Sequence, residues 1–484
     1  MSRPLTGIAI LWILLHATLL PAQEADTLSG LSAENAVADW LSFKARVLRN
    51  HPLAKNANLY RDQAAAMLLR ARGGFDPKVY GDYTAKNFND KNYFQYTEAG
   101  IKWPTWLGLE LKSTLNYATG DYLNPEFSVP SRGLTAFGFN WTLGQGLLTD
   151  ERRTALRQAR IGIDQGQAER DALLNDLLLE AAKAYWNWVV AGNQLEVYDA
   201  ALQQATNRHL AIRESYLQGD KPAIDTMETF IQVQNRLLDV NFARNDYRNA
   251  ALAVSGFLWD DDGAPARPED LPSAPEPGTQ ELLPAINPGR QSILQQARIS
   301  HPELRLYDAK LRTLEAERRL KVEKRKPVLD LNYNILGAGL NFFPAGSPDG
   351  PGVLASDIKW GVNVSYPLLN RKARGDLQVT DIKLAQTEFE LRQKRQSIDI
   401  KVQQYANEVD NLGAQLTLYQ NITENYRALL DAENEKFNFG ESSVFLINTR
   451  EQRWLDARVK YLKLLGEYRK MEAALRWAAG VNDE

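Results

Sequence analysis

Four acidic residues stand beside two breaks in long helical runs of this sequence. Asp220, Asp225 and Glu228 accompany the first break, and Glu441 follows the second. Repeated around a symmetry axis, each carboxylate would form a ring of like charge, which at a closed tip would select cations or be pulled apart on opening. The alternative is ordinary placement of acidic residues near a helix N-terminus, where they favour the helix dipole.

The breaks themselves contain residues that suit a tight turn between paired helices. The candidates for a tip onto which another protein docks are Gly219, Gly440, Glu441 and Ser442. The alternative for the two glycines is that they end their helices and do nothing more.

Four further charged residues alternate with apolar ones. They are Glu110, Lys112, Asp330 and Lys359. Alternation with a period of two gives a strand one apolar and one polar face. Each of these charges would cost several kcal/mol in a dry core without a partner, whereas a water-filled lumen leaves it solvated. We therefore expect all four to face a lumen, with Trp and Tyr at the strand ends as interfacial girdles.

Nothing in the sequence supports catalysis. It has four histidines and no cysteine. His51 and His301 precede prolines at equivalent points, His209 stands alone in a helical run, and Ser442 has no histidine nearby. There is no glycine-rich phosphate loop. We expect no enzyme, no cofactor and no metal site, so that a partner must supply any energy.

Composition indicates an exported chain with long solvated helices. The 484 residues have a charged fraction of 24% and a net charge of −3, which gives no electrostatic case for nucleic acid. Arg3 followed by a short apolar run predicts a signal peptide. After this segment the sequence has no run of about 20 apolar residues, so it predicts no transmembrane helix.

The order helix, strands, long helix, break, helix occurs twice. The predicted organisation is a signal peptide over residues 1–22, a first repeat over 23–259, a Pro-rich and acidic linker over 260–290, and a second repeat over 291–484. The predicted strands are about 105–117 and 133–143, then about 328–336 and 357–367. Residues 77–103 alternate only weakly, and we expect an extra hairpin or excursion there.

The longest helical run extends from Arg371 to Phe439, with apolar residues at coiled-coil spacing. At 1.5 Å per residue it would reach about 100 Å, enough to cross a wide aqueous gap. Four strands cannot close a pore alone, since even a barrel of about eight strands is filled by side chains. Several copies must therefore pool their strands in a symmetric ring.

This plan resembles the TolC-like outer-membrane efflux protein family over essentially the whole mature chain. The local matches are Tyr366-Pro367-Leu368, the turn from Gly440 to Asn448, its counterpart from Gly219 to Met227, and the end of the last helix from Leu475 to Gly480. The family often places an Asp in the second turn, where this chain has Leu446. The matching position of the first turn is Asp225.

The resemblance implies an α+β membrane protein: a duplicated helix–strand–strand–helix unit, a coiled-coil tunnel, and a homotrimer in which each chain gives four strands to one twelve-stranded barrel. It implies an outer-membrane exit duct that extends into the periplasm, gated at its periplasmic end. The implied partners are a periplasmic adaptor, an inner-membrane pump and outer-membrane lipid. Efflux and type I protein secretion both remain open. The rival hypothesis is a periplasmic adaptor or structural coiled-coil protein without a barrel, which the duplication disfavours.

Overall fold

The computed structural model describes residues 39–275, 290–339 and 357–481. The predicted signal peptide and residues 276–289 of the predicted linker lie outside these ranges. The first half contains helices α1 (Trp40–Asn50) and α2 (Pro52–Arg72), strands β1 (Lys78–Phe88), β2 (Lys91–Pro104), β3 (Leu109–Thr119) and β4 (Leu134–Thr142), and helices α3 (Glu151–Leu217) and α4 (Ala223–Ser255). The second half contains helices α5 (Arg290–Ser300) and α6 (Pro302–Glu323), strands β5 (Val328–Ala338) and β6 (Ile358–Ser365), and helices α7 (Arg371–Asn438) and α8 (Val444–Ala479).

Several helices begin where a side chain satisfies one of the first backbone N–H groups. Asp150 precedes α3, and its Oδ1 accepts a hydrogen bond from the Arg153 backbone at 2.7 Å. His51 and His301 precede α2 and α6 in the same way, each followed by a proline at the first helical position. Because such a proline loses no helical hydrogen bond, the His-Pro pairs fix equivalent helix starts in the two repeats.

Two helices run through the whole length of the helical part. With 67 and 68 residues, α3 and α7 are each about 100 Å long. In one half of the rod α3 packs against α2 and α6, and in the other half it packs against α4 and α8. Helix α7 packs against α6 and then α8. The shorter helices are therefore stacked end to end beside the two long ones.

The largest buried cluster surrounds the middle of α3. It joins Trp40 and Phe43 of α1 to Tyr185, Trp186 and Trp188 of α3, with apolar residues at the end of α4. A second cluster joins α5, the start of α6, the middle of α7 and the end of α8. The residues just before the predicted linker pack here too, because Asn50 Nδ2 donates to the Trp259 carbonyl at 3.0 Å.

One antiparallel sheet caps the helices. Its six strands lie in chain order from β1 to β6, each bonded to the next. The prediction of four strands per chain is therefore wrong, since residues 77–103 form β1 and β2 of the same sheet. Their alternation is weak because small or polar residues such as Gly81, Ala85, Thr97 and Ala99 occupy positions that hold large apolar residues in the other strands.

The strand register divides the sheet into two faces. One row of partners contains Trp103, Leu111, Phe139, Tyr333 and Trp360, and the adjacent row contains Lys102, Lys112, Gly138, Asn334 and Lys359. We call these sides the apolar face and the charged face. From the bulge at Lys86 and Asn87 to the helix-proximal ends of the described strands, no charged residue lies on the apolar face.

Among the described helices, none combines the length and the apolar character needed to cross a membrane.

Candidate channel tip and lumen

The two helix breaks are built from the same backbone motif. Gly219 and Gly440 have φ values of +86° and +79°, a left-handed conformation that glycine adopts without strain. The Asp220 N–H donates to the Ser215 carbonyl at 2.9 Å, and the Glu441 N–H donates to the Lys436 carbonyl at 2.8 Å. These are the long hydrogen bonds of a Schellman motif. Each glycine therefore reverses the chain into a helical hairpin.

The two hairpins end side by side. The Lys221 ammonium lies 5.1 Å from the centre of the Phe437 ring, so the turn of the first hairpin touches the end of α7. Glu228 Oε1 accepts a hydrogen bond from Asn448 of α8 at 3.4 Å. Of the four predicted tip carboxylates, Glu228 thus bridges the hairpins and Asp225 lies half-buried in the first turn of α4. Asp220 and Glu441 are exposed in the turns themselves.

Ser442 is half-buried in the second turn. Its hydroxyl donates to Glu433 Oε1 of α7 at 2.6 Å, and Arg450 Nε lies 3.4 Å from the other oxygen of the same carboxylate. The Ser442 hydrogen bond lowers the pKa of Glu433, burial opposes the change, and Arg450 adds to the lowering. Ser442 therefore ties the second turn to its own hairpin.

A buried charge network behind the tips was not predicted from the sequence. Glu451 of α8 is fully buried, and Arg208 of α3 donates to its Oε2 and to Asn448 Oδ1. Arg236 of α4 is 1% exposed and donates to Gln452 Oε1 at 2.7 Å. This group, Arg208, Arg236, Asn448, Glu451 and Gln452, is the inter-hairpin network.

A sequence signal for this network did exist. Asn448 and Glu451 occupy positions of α8 that fall in the apolar seam formed by Val444, Leu455 and Leu462. Polar residues at seam positions of a coiled coil specify register and partner, at a cost in stability.

The predicted lumen residues all lie on the charged face of the sheet. Glu110 is 3.7 Å from Arg152 Nη1, and Lys112 is 3.5 Å from Glu98 Oε1. Asp330 and Lys359 lie on the same face of β5 and β6. The charged face also contains five residues contributed by β1 and β2. They are Lys78, Asp82, Lys86, Glu98 and Lys102.

A polar cavity joins the charged face to the start of α3 and the end of α6. It has a volume of about 450 Å³, and its lining includes Glu110, Asp330, Glu323 and Lys324. Lys324 Nζ is 2.5 Å from Glu151 Oε1, and this contact lowers the pKa of the Glu151 carboxyl. Glu110 and Asp330 therefore share this cavity, whereas Lys112 and Lys359 lie farther along the sheet.

The described histidines lie apart from one another. His51 and His301 cap helices, and His209 contacts a neighbouring helix. His209 Nδ1 is 3.0 Å from the Thr229 hydroxyl, which joins α3 to α4. Across residues 39–275, 290–339 and 357–481, no group of three or more His, Cys, Asp or Glu side chains could hold a metal ion.

Comparisons with known proteins agree with this arrangement. Residues 293–481 match the outer membrane efflux protein family. A comparison with curated protein sequences gives no match.

Solved structures of outer-membrane channels share the fold. The open-state MtrE channel of Neisseria gonorrhoeae is 15% identical, with a TM-score of 0.63 over 96% of this chain and 98% of that one. The CmeC channel of Campylobacter jejuni is 13% identical, with a TM-score of 0.62 over 91% of this chain and 85% of that one. VceC of Vibrio cholerae, an outer membrane protein, is 12% identical, with a TM-score of 0.61 over 91% and 96%. The second half of the chain is thus similar to the outer membrane efflux protein family, and over nearly its whole length the chain has the fold of the outer-membrane channels.

Proposed function

We propose that this protein is an outer-membrane exit duct of a tripartite efflux or type I secretion system. The observation that carries the proposal is a single chain in which a two-faced sheet continues into helices about 100 Å long. The apolar face suits lipid, and the charged face suits a water-filled lumen lined by Glu110, Lys112, Asp330 and Lys359. The helices carry the passage across the periplasm.

The duct forms as a homotrimer in this proposal, and the flanks of the helical rod support it. Exposed apolar residues form a stripe on α4, one flank of the chain. They are Ile224, Met227, Ile231, Leu238 and Phe242. A second stripe runs along α7, the opposite flank. It contains Ile382, Phe389, Ile400, Leu418 and Leu429. The stripe residues of α7 are 7, 11 or 18 positions apart. Because steps of 7 and 11 drift in opposite directions around a helix, the stripe stays straight. We expect a second copy of the chain to cover each stripe.

The periplasmic end is the proposed gate. Around a threefold axis, Asp225 and Glu228 become rings of like charge at the tip, with Asp220 and Glu441 in the adjoining turns. Repulsion within such rings opposes closure, and the hydrogen bond from Asn448 to Glu228 holds the hairpins together against it. The turns at Gly219 and Gly440, with Glu441 beside them, form the surface proposed for a periplasmic adaptor, through which an inner-membrane pump delivers substrate.

The gate is tested by removing its charge. In lipid bilayers we expect the double variant Asp225→Ala, Glu228→Ala to conduct ions severalfold better than the unaltered protein. The reason is that the hydrogen bond from Asn448 to Glu228 holds the hairpins closed, and we expect its loss to outweigh the relief of repulsion within the rings. Cells that depend on this duct should also become more sensitive to large antibiotics.

The matched control removes two carboxylates far from the tip. Asp62→Ala with Glu315→Ala changes exposed residues of α2 and α6 by the same charge and should leave conductance unchanged. Equal conductance of all three proteins would remove Asp225 and Glu228 from the gate. Absence of any channel from the unaltered protein would reject the duct itself.

A further inference from the structure

The hairpin of β1 and β2 has the features of membrane-spanning strands. The strands contain 11 and 14 residues, and about 9–11 residues suffice to cross a bilayer. On the apolar face, Val79 and Tyr83 of β1 are 80% and 64% exposed, and Ile101 and Trp103 of β2 are about half exposed. From the helix-proximal end of the hairpin up to Tyr83, these exposed apolar side chains suit a lipid environment and not an aqueous one.

The hairpin is a regular extension of the sheet. Asn89 and Asp90 turn it with φ values of 50° and 55°, as in the two-residue turns that match the twist of β-hairpins. On the charged face, Glu98 accepts hydrogen bonds from the hydroxyls of Tyr80 at 2.7 Å and Tyr96 at 3.1 Å. The hairpin therefore has its own polar network on the side that faces water.

Strand β2 also occupies the edge of β3 completely. The two strands pair from Gln95 with Thr119 to Pro104 with Glu110. Their backbones approach closely at Gly100, where an added Cβ would lie 2.6 Å from the Ser113 carbonyl oxygen. Lys112 on β3 is 3.5 Å from Glu98 on β2. No neighbouring chain can reach the edge of β3 unless these contacts are broken.

The open edges of the described sheet are consequently β1 and β6. In the hydrocarbon region each unpaired backbone N–H or C=O costs several kcal/mol, so open sheet edges do not occur there. The two edges of one chain lie at opposite ends of a six-stranded sheet. They can be satisfied only by other copies, and antiparallel pairing of β6 with β1 continues the up-and-down order of the strands.

We propose that β6 of each copy pairs with β1 of the next, so that the trimer closes an eighteen-stranded barrel, six strands from each of three copies. At a strand spacing of about 4.8 Å and a tilt of about 40°, its backbone diameter is about 36 Å, against about 24 Å for twelve strands. The wider lumen carries extra rings of charge from Lys78, Asp82, Lys86, Glu98 and Lys102. It suits large hydrated polar cargo. This inference rests on the proposed trimer.

Because the chain has no cysteine, paired cysteines can identify the neighbouring strands directly. In the first set, Tyr83→Cys in β1 is combined in turn with Trp360→Cys, Val362→Cys or Val364→Cys in β6. In the second set, Ser113→Cys in β3 replaces the β1 site. All these positions lie on the apolar face. Within one chain β6 is separated from β3 by two strands and from β1 by four, so a disulfide can form only between copies.

The full-length protein is oxidised in its native membrane and analysed by denaturing electrophoresis. We expect covalent dimers and trimers from at least one pair of the first set and from none of the second. Cross-links in the second set would show β6 against β3, which overturns the eighteen-stranded closure and leaves the trimeric duct intact. Absence of cross-links in both sets, with a monomer in mild detergent, would overturn the assembly itself.

A second measurement needs no substitution. Rotationally averaged images of the purified oligomer should show a membrane ring about 36 Å across at the backbone. A ring of about 24 Å would contradict the proposal whatever the cross-links show.

Discussion

Two histidines perform the same backbone task in the two halves of the chain. His51 Nδ1 accepts the Leu53 N–H at 3.1 Å, and His301 Nδ1 accepts the Glu303 N–H at 3.2 Å. Only a ring with an unprotonated Nδ1 can accept in this way. Burial lowers the pKa of both rings, and His301 is the more deeply buried of the two. The sequence placed these residues at helix starts, but it could not indicate how deeply each ring is covered.

The first prediction concerns His301. Because its pKa in the folded protein lies below the ordinary value of 6.5, the unfolded chain binds the proton more readily. This contribution to stability is complete above about pH 6.5 and is lost as the pH falls toward the folded pKa. We expect the melting temperature to fall between pH 7 and pH 5. His301→Asn retains a capping acceptor without a titrating group and should make that fall smaller.

The comparison variant is His51→Asn, at the equivalent but less buried position. It should change the pH dependence less than His301→Asn does. An unchanged pH dependence in both variants would show that neither histidine limits stability in acid.

At the scale of elements, the contact between the two hairpins depends on charges placed where a coiled coil usually has apolar residues. Glu451 is completely buried, whereas the partner Arg208 keeps 16% of its side chain exposed. The burial of the two partners is therefore unequal. Removing Arg208 leaves the Glu451 carboxylate without its partner and without access to water. Removing the charge of Glu451 leaves the Arg208 guanidinium, which can still reach solvent.

We accordingly expect Arg208→Ala to destabilise the helical part more than Glu451→Gln. Breaking a buried pair typically costs about 3–5 kcal/mol, and we place Arg208→Ala in that range and Glu451→Gln below it. Hydrogen exchange in α8 would measure both. The exposed pair Lys183 and Glu180 is the control, since Lys183→Ala should cost less than about 1 kcal/mol. The reverse order of the two buried variants would contradict this account.

The hairpins illustrate how far local sequence reasoning reaches. Gly219 and Gly440 were predicted as turns because glycine readily adopts the left-handed conformation that a Schellman motif needs. Ser442, a predicted docking residue, also bonds to Glu433, a contact that was not predicted. That hydrogen bond joins two residues that are nine positions apart in the chain, and it depends on how α7 and α8 pack against each other. Whether the Ser442 side chain contacts solvent or a neighbouring helix depends on how the helices pack, and the sequence alone does not show that packing.

At the scale of the whole molecule, the duplicated plan could be predicted from the sequence because long helices and alternating strands have distinct periods. The number of strands could not be predicted. Strands β3 and β4 place large side chains such as Leu111 and Phe139 on the apolar face, which makes the period visible. Strands β1 and β2 place Gly81 and Ala99 there, and their pairing with β3 appears only in the structure.

The whole-molecule prediction concerns assembly. Phe389 belongs to the α7 stripe and is 64% exposed, so Phe389→Asp should barely alter the fold of one chain. In the trimer it would bury an unpaired carboxylate, and we expect the trimer to dissociate in mild detergent at concentrations where the unaltered protein remains assembled. Mass measurement in solution by light scattering would detect this.

Phe389→Leu retains an apolar side chain and should preserve the trimer. If Phe389→Asp assembles as well as Phe389→Leu, the α7 stripe is not an interface between copies.

The aromatic cluster around Tyr185 and Trp188 also has a mechanical meaning. It clamps α3 near its midpoint against α1 and the end of α4, whereas the stretch from Trp188 to Leu217 reaches onward as unbroken helix. That stretch extends about 44 Å beyond the cluster, with α4 and α8 packed along it. A tilt of about 10° at the cluster would move the hairpin end sideways by about 8 Å. A small change of angle at the cluster would then produce a wide displacement at the tip, without unwinding any helical turn.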